Sequence, residues 1–175
     1  MNMQTSSSSG QRPAPRRTAI DAKRFRSVMG AFPTGVAVIT TGWKGELYGA
    51  TINSLTSVSL EPCMLLFCTN EGSATGAAIQ KRGLFSVNIL GQHQSGLSAR
   101  FTGEQMNRFE GLALAFSAEG LPLLDGAAAR LCCRVAAVHK AGDHDIILGE
   151  VLSGEEAACS PLVFHKGAYG SFQRA

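Results

Sequence analysis

The sequence predicts a mainly β fold, a closed antiparallel barrel carrying short peripheral helices. Three observations predict it. Six or seven runs of apolar or β-branched residues have strand length. Glycine occurs 20 times, as tight turns require. Only two or three helical segments appear, and they do not alternate with the strands as a doubly wound parallel sheet demands. At 175 residues, 45% hydrophobic and 17% charged, the chain suits one domain with one core and not a disordered polymer.

The elements follow in order. Asp21 can cap a helix in which Phe25, Val28, Met29 and Phe32 form one apolar stripe, closed by Pro33. Residues 36–41 and 47–53 flank Gly42-Trp43-Lys44-Gly45 and read as a hairpin. Residues 64–69 form an apolar strand. Ser73 caps a short helix ending in Lys81 and Arg82, with Gly83 as its stop. Residues 84–90 are the next strand, 94–101 a short helix, and 102–126 irregular. Strands follow at 128–138, 146–152 and 162–165.

Charge and cysteine content exclude several classes. Residues 1–20 hold Arg12, Arg16 and Arg17 and no acid, so they read as a disordered basic tail. The rest, 21–175, reads as the single folded domain and balances 13 basic against 13 acidic residues, which is no nucleic-acid footprint. Cys63, Cys68, Cys132, Cys133 and Cys159 are odd in number and lack Cys-x-x-Cys spacing, so free thiols in a reducing, cytoplasmic setting are expected. Cys132 and Cys133 should point to opposite faces of a strand. No apolar run approaches a membrane span, and no spacing suggests a metal site. A Rossmann fingerprint, a phosphate-binding lysine loop and a nucleophile elbow are all absent.

Three segments carry the candidate chemistry. Pro33-Thr34-Gly35-Val36 is a tight corner in which Thr34 offers a hydroxyl and Gly35 admits a ligand to the backbone; an ordinary turn is the alternative. Residues 49–59 are rich in small hydroxyl and amide groups, the donors and acceptors a flat heterocycle needs, or else form a polar edge strand. Gly142-Asp143-His144 is a turn leading into an apolar strand, where the histidine can donate to a ligand, stack on one, or sit idle at the surface. Strand alternation would put Asp143 and Asp145 opposite His144. The N-terminus of the helix capped by Ser73 suits a phosphate, and Tyr169 lies between glycines as a ring-covering loop would have it.

Taken in this order, these segments resemble the flavin reductase family with the split-barrel flavin-binding fold, which includes the reductase components of hydroxyphenylacetate, phenol and nitrilotriacetate monooxygenases. The resemblance spans residues 22–172. It includes Phe32-Pro33-Thr34-Gly35-Val36, Asn53-Ser54 through Ser57-Val58-Ser59 with Pro62, Phe85-Ser86-Val87-Asn88, Gly120-Leu121-Pro122, Gly142-Asp143-His144 and Pro161-Leu162-Val163-Phe164-His165. Cys63 and Ile52 depart from the usual pattern.

The resemblance implies a split β-barrel of antiparallel Greek-key type, a homodimer, FMN or FAD as flavin, and NADH or NADPH as donor. It implies flavin contacts at Thr34, Gly35, Thr51, Asn53, Ser54, Leu55 and Ser57, phosphate contact at Ser73, and further contacts at Asn88, Phe101 and Tyr169. His144, with Asp143 beside it, would face the nicotinamide as the catalytic residue. Hydride would pass directly between stacked rings, and reduced flavin would feed a separate oxygenase. A non-catalytic flavin-binding protein for storage or sensing is the rival reading.

Overall fold

The computed structural model describes residues 19–103 and 107–173. Most of the tail expected at 1–20 lies outside the described residues. The elements are α1 (Ala22–Met29), β1 (Thr34–Gly35), β2 (Ala37–Trp43), β3 (Glu46–Ile52), β4 (Thr56–Leu60), β5 (Cys63–Asn70), α2 (Ala74–Arg82), β6 (Leu84–Ile89), α3 (Ser95–Arg100), β7 (Leu114–Phe116), β8 (Pro122–Leu124), β9 (Ala129–Ala141), β10 (His144–Glu156), β11 (Leu162–His165) and β12 (Ala168–Ser171).

Seven strands form one antiparallel sheet in the order β3-β2-β6-β9-β10-β5-β4. Its two edge strands, β3 and β4, are consecutive in sequence, with only residues 53–55 between them. In a flat sheet those edges would stand roughly 29 Å apart, whereas four peptide steps span at most about 14 Å. The sheet therefore curls until its edges approach. It does not close: no ladder joins β3 to β4, and each stays a terminal strand of the sheet. The expected barrel is thus a curled, open antiparallel sheet. Two smaller sheets, β1-β11-β12 and β7-β8, pack beside it.

The concave side is filled by Ile39, Phe67, Ile79, Phe85, Val87, Cys133 and Ile147, with the Phe67 and Phe85 rings edge-on at 5.2 Å. Ile79 comes from α2, which Ser73 caps and Gly83 ends at φ 74°, a left-handed conformation that glycine adopts without strain. Strand β2 is buried on both faces: Val36 and Val38 belong to a second core with Leu90, Phe101, Leu124 and Leu162. Cys133 joins the first core and Cys132 a third, with Leu121 and Leu123, so the adjacent thiols do face opposite ways.

Helix α1 forms where the capping residue predicted, with Arg24 N–H donating to Asp21 Oδ1 at 2.8 Å. Its apolar stripe is not covered by the described residues. Phe25, Val28, Met29 and Phe32 are all more than half exposed.

Candidate functional site

A cleft of about 1480 Å³ opens along the outer edge of β3. Its walls are β3 with residues 53–54, the end of β5 with the turn into α2, residues 101–103 and 107–110, and His144. Single-ligand pockets usually hold about 300–1,000 Å³. This cleft has room for two flat molecules at once.

Two aromatic rings line one wall. Phe101 packs edge-on against Phe109 at 5.0 Å, and both lie against Gly49. A Cβ at Gly49 would stand 2.6 Å from the Phe101 ring, so only glycine permits this approach. Arg108 Nη1 donates to Gly49 O at 2.7 Å, and Thr51 N–H donates to Phe101 O at 3.1 Å. The edge of β3 is thereby tied to the 101–108 segment.

The hydroxyls of this wall already have partners. Thr51 Oγ1 donates to Ser98 O at 2.7 Å and pins α3. Ser54 Oγ accepts from Cys68 N–H at 2.9 Å and donates to Cys68 O at 3.3 Å, clamping the β3–β4 link onto β5. What Thr51 and Ser54 offer a ligand is a rigid surface more than a free hydroxyl. Asn53 is exposed on the same rim.

Across the cleft, β5 delivers the chain to α2. Ser73 Oγ accepts from Gly76 N–H at 3.3 Å, and the first turn of α2 opens on the cleft through Ala74 and Thr75. A helix N-terminus presents free N–H groups and a partial positive charge, which suits a phosphate. His144 opens β10, paired to Asn70 of β5. Its Nδ1 lies 2.7 Å from Asp143 Oδ1. Asp143 belongs to the turn and not to the strand, so alternation does not apply to it and it swings beside the ring. Its carboxyl is held below the ordinary carboxylate range, first by the His144 hydrogen bond and then by backbone N–H. Asp145 does point the other way and is buried, its Oδ1 2.9 Å from Lys140 Nζ. Lys140 also meets Glu71 at 3.0 Å, and these two carboxylates raise its pKa.

The expected site residues therefore divide. Thr51, Asn53, Ser54, Ser73, Phe101 and His144 line one cleft. Asn88 does not. It is fully buried, donates from Nδ2 to Val38 O (3.0 Å) and Thr40 Oγ1 (3.1 Å), and accepts at Oδ1 from Leu124 N–H (2.8 Å). Its hydrogen bonds hold β2, β6 and β8 together, and none is left for a ligand. Thr34, Gly35 and Tyr169 lie in the β1-β11-β12 sheet, outside the lining of this cleft, with Tyr169 Oη 2.9 Å from Ser98 Oγ and the Thr34 hydroxyl buried without a partner. Leu55 packs on the main core, Ser57 is exposed on β4, and Asp143 is outside the lining but bonded to two lining residues, its carboxylate to His144 and its carbonyl to Glu71 N–H. Sequence reasoning included Gly49 in the 49–59 segment without giving it a role, and it missed Arg108 and Phe109, and with them Glu46 and Tyr48 on the far end of β3. The signal at Gly49 was a glycine amid strand residues; Arg108 and Phe109 lay in a stretch that carried no periodicity.

Among the described residues, no group of three or more His, Cys, Asp or Glu is placed to hold a metal, and no helix is long and apolar enough to cross a membrane.

The chain matches the family described as flavin reductase like domain over residues 29–173. It is 40% identical over 154 residues to the FMN reductase (NADH) of Agrobacterium fabrum, covering 88% of each chain. Among solved structures, it is similar to nitrilotriacetate monooxygenase component B from Mycobacterium thermoresistibile, with TM-score 0.84 and 37% identity over 86% of each chain. It is also similar to the NADH:FAD oxidoreductase of Streptomyces globisporus in complex with NAD and FAD fragments, with TM-score 0.83 and 33% identity over 89% of this chain and 97% of that one.

Proposed function

This chain belongs to the flavin reductase family, and from that premise we propose how its cleft performs the reaction: it is an NADH:flavin oxidoreductase that holds donor and flavin together in one groove. The observation that carries this is the cleft itself. It is wide enough for two flat molecules, with an aromatic wall on one side and a helix N-terminus and a histidine on the other. No Rossmann fingerprint occurs in the sequence, and in this reading the donor shares the groove.

The residues present fit a flavin. The first turn of α2, capped by Ser73, takes the phosphate. Asn53 and the backbone of residues 51–54 meet the polar edge of the ring, while Phe101 and Phe109 keep that wall dry and flat. When bound, the flavin supplies the hydride-accepting ring and NADH the hydride, so the protein's contribution is orientation and exclusion of water. His144 holds the nicotinamide half, and Asp143 fixes the imidazole by its 2.7 Å hydrogen bond. No side chain needs to carry a proton to or from carbon.

The finer architecture follows the same reading. The curled sheet with an unclosed seam is a split barrel of Greek-key type, comprising residues 21–175 as one domain. The protein is a homodimer. The exposed stripe of α1, with Phe25 at 53% and Phe32 at 68%, supports this, and Lys166 N–H to Gly30 O (3.0 Å) places it beside the sheet that carries Thr34, Gly35 and Tyr169. A second copy seated there would cover the stripe, and Phe25→Asp should yield monomers in sedimentation. Reduced flavin goes to a separate oxygenase, as the names of the relatives indicate for them, and the five free thiols suit the cytoplasm.

The test is nicotinamide absorbance in a mixture of protein, NADH and excess FMN or FAD. Multiple turnovers per protein are expected. Tight flavin binding with no NADH consumption would overturn the assignment.

A further inference from the structure

Glu71 precedes Ser73, the cap of α2, by two residues, and both line the cleft. The first turn of α2 carries no acid of its own, so its free N–H groups meet no carboxylate from within the helix. A glutamate beside a helix N-terminus is drawn to it. Left free, the Glu71 carboxylate would compete with a phosphate for those N–H groups and repel it.

The carboxylate is not left free. Lys140 Nζ lies 3.0 Å from Glu71 Oε1 and 2.9 Å from Asp145 Oδ1. Lys140 stands directly opposite Asp145 in the β9–β10 ladder. Asp145 is buried, and Gln80 of α2 approaches its other oxygen at 3.4 Å. The lysine is thus anchored on a fixed carboxylate and reaches out to an exposed one. A second cavity, of about 390 Å³, is lined by Lys140, Asp145, Gln80 and Lys81, and shares Gly72 and Ser73 with the cleft. The Gly72-Ser73 turn therefore stands between the two spaces. Lys140 lines the smaller one and Glu71 the cleft, so the ion pair draws the carboxylate away from the side on which a flavin would lie. The backbone of Glu71 is tied as well, its N–H donating to Asp143 O at 3.0 Å.

We propose that Lys140 is a positioning residue for the flavin phosphate: by pairing with Glu71 it keeps that carboxylate off the N-terminus of α2 and leaves the seat to the phosphate. The inference rests on the placement of the phosphate in the reductase reading above. It adds a residue that touches neither flavin nor donor.

The test is fluorescence titration of the full chain with FMN and with riboflavin, which lacks the phosphate, in the absence of donor. Lys140→Met should raise the Kd for FMN about fivefold, the upper size of an exposed ion pair, and leave that for riboflavin unchanged. Lys140→Arg should behave as the wild type. Adding Glu71→Gln to Lys140→Met should restore FMN binding, because no carboxylate is then left to compete. A general loosening of the fold would weaken both flavins, and Glu71→Gln would not repair it. Should Lys140→Met fail to fold with Asp145 buried and unpaired, the same comparison is made with Asp145→Asn added. Equal weakening of FMN and riboflavin, unchanged FMN binding, or no restoration by Glu71→Gln would overturn the inference. So would a wild type that binds riboflavin as tightly as FMN, and with NADH still consumed the reductase reading would stand. A wild type that binds neither flavin would overturn both.

Discussion

Asn88→Ala should cost stability without touching the flavin site, and the structure fixes how much. The amide is fully buried and makes three hydrogen bonds. Truncation strands Leu124 N–H, itself in a core position, at about 1–3 kcal/mol for a buried donor without an acceptor. The two bonds given by Nδ2 are worth about 0.5–1 kcal/mol each once the rest of the network, Thr40 and Ser86 to Pro122 O at 2.6 and 2.7 Å, has relaxed. A cavity of roughly 40 Å³ adds about 1 kcal/mol. The sum is about 3–6 kcal/mol, a large share of the 5–15 kcal/mol that holds a typical domain. Urea unfolding followed by circular dichroism should show a lower midpoint with an unchanged slope. Flavin KM, measured in the cold where the variant stays folded, should equal that of the wild type. A loss below about 1 kcal/mol together with weaker flavin binding would refute the reasoning and return Asn88 to the site.

Three further outcomes follow from the same geometry. His144→Ala should raise the KM for NADH about tenfold, the size of a lost charge-assisted hydrogen bond, while flavin titration is unchanged; Asp143→Asn should do the same more weakly, and lost flavin binding in either variant would contradict the assignment. Gly49→Ala forces a methyl to within 2.6 Å of the Phe101 ring, so stability should fall by about 1–3 kcal/mol and turnover with it, seen in thermal melts and steady-state rates. Burial, and then the neighbouring Cys132, push the Cys133 thiol from 9.0 up to about 12. A raised folded value means the native state holds its proton where the unfolded chain releases it, so this contribution is intact below pH ~9 and is lost as pH rises through ~12, up to about 4 kcal/mol over that window; urea titrations across it should show a shallower decline in Cys133→Ala, and in the native protein a thiol reagent should label Cys63 and Cys159 well before Cys133.

Strongly patterned elements were legible in the sequence and weakly patterned ones were not. β2, β3, β5, β6 and α2 appear within a residue or two of where β-branched runs, caps and stop glycines put them. β1, β7, β8 and β12 have two to four residues each, too few to show a period, and β1 owes its conformation to a partner far along the chain, as Thr34 does to Phe164. β4 was ambiguous in another way, because its Thr and Ser residues read equally as ligand contacts and as a polar edge strand, and an edge strand is what forms there. The same limit acts on single residues. Asn88 lies in a correctly expected strand, but its acceptor role is for Leu124, 36 positions on, which no local pattern announces. Asp143 was placed opposite His144 by strand alternation, and the chain is still in the turn there. The periodicity of α1 announced an apolar stripe; it did not announce that the stripe is kept outward.

The unclosed seam and the site are one feature. A sheet whose edges come within reach of each other would ordinarily pair them, since unpaired edge groups are a liability. Here the outer edge of β3 is satisfied in another way, with Thr51 N–H bonded to Phe101 O and Gly49 O accepting from Arg108. Those two bonds take donor and acceptor positions that a β3–β4 ladder would need, and the 101–110 segment they recruit brings Phe101 and Phe109 with it. On the far side, β4 pairs with β5 through one edge only, and Ser54 clamps the crossing onto Cys68, away from β3. The seam therefore stays open by hydrogen-bond accounting, and the groove that remains is the one lined by Asn53, Ser73 and His144. A variant that re-paired β3 with β4 would gain a ladder and lose the cleft, which is why the edge residues of β3 matter to function although none of them touches a reacting atom in this mechanism.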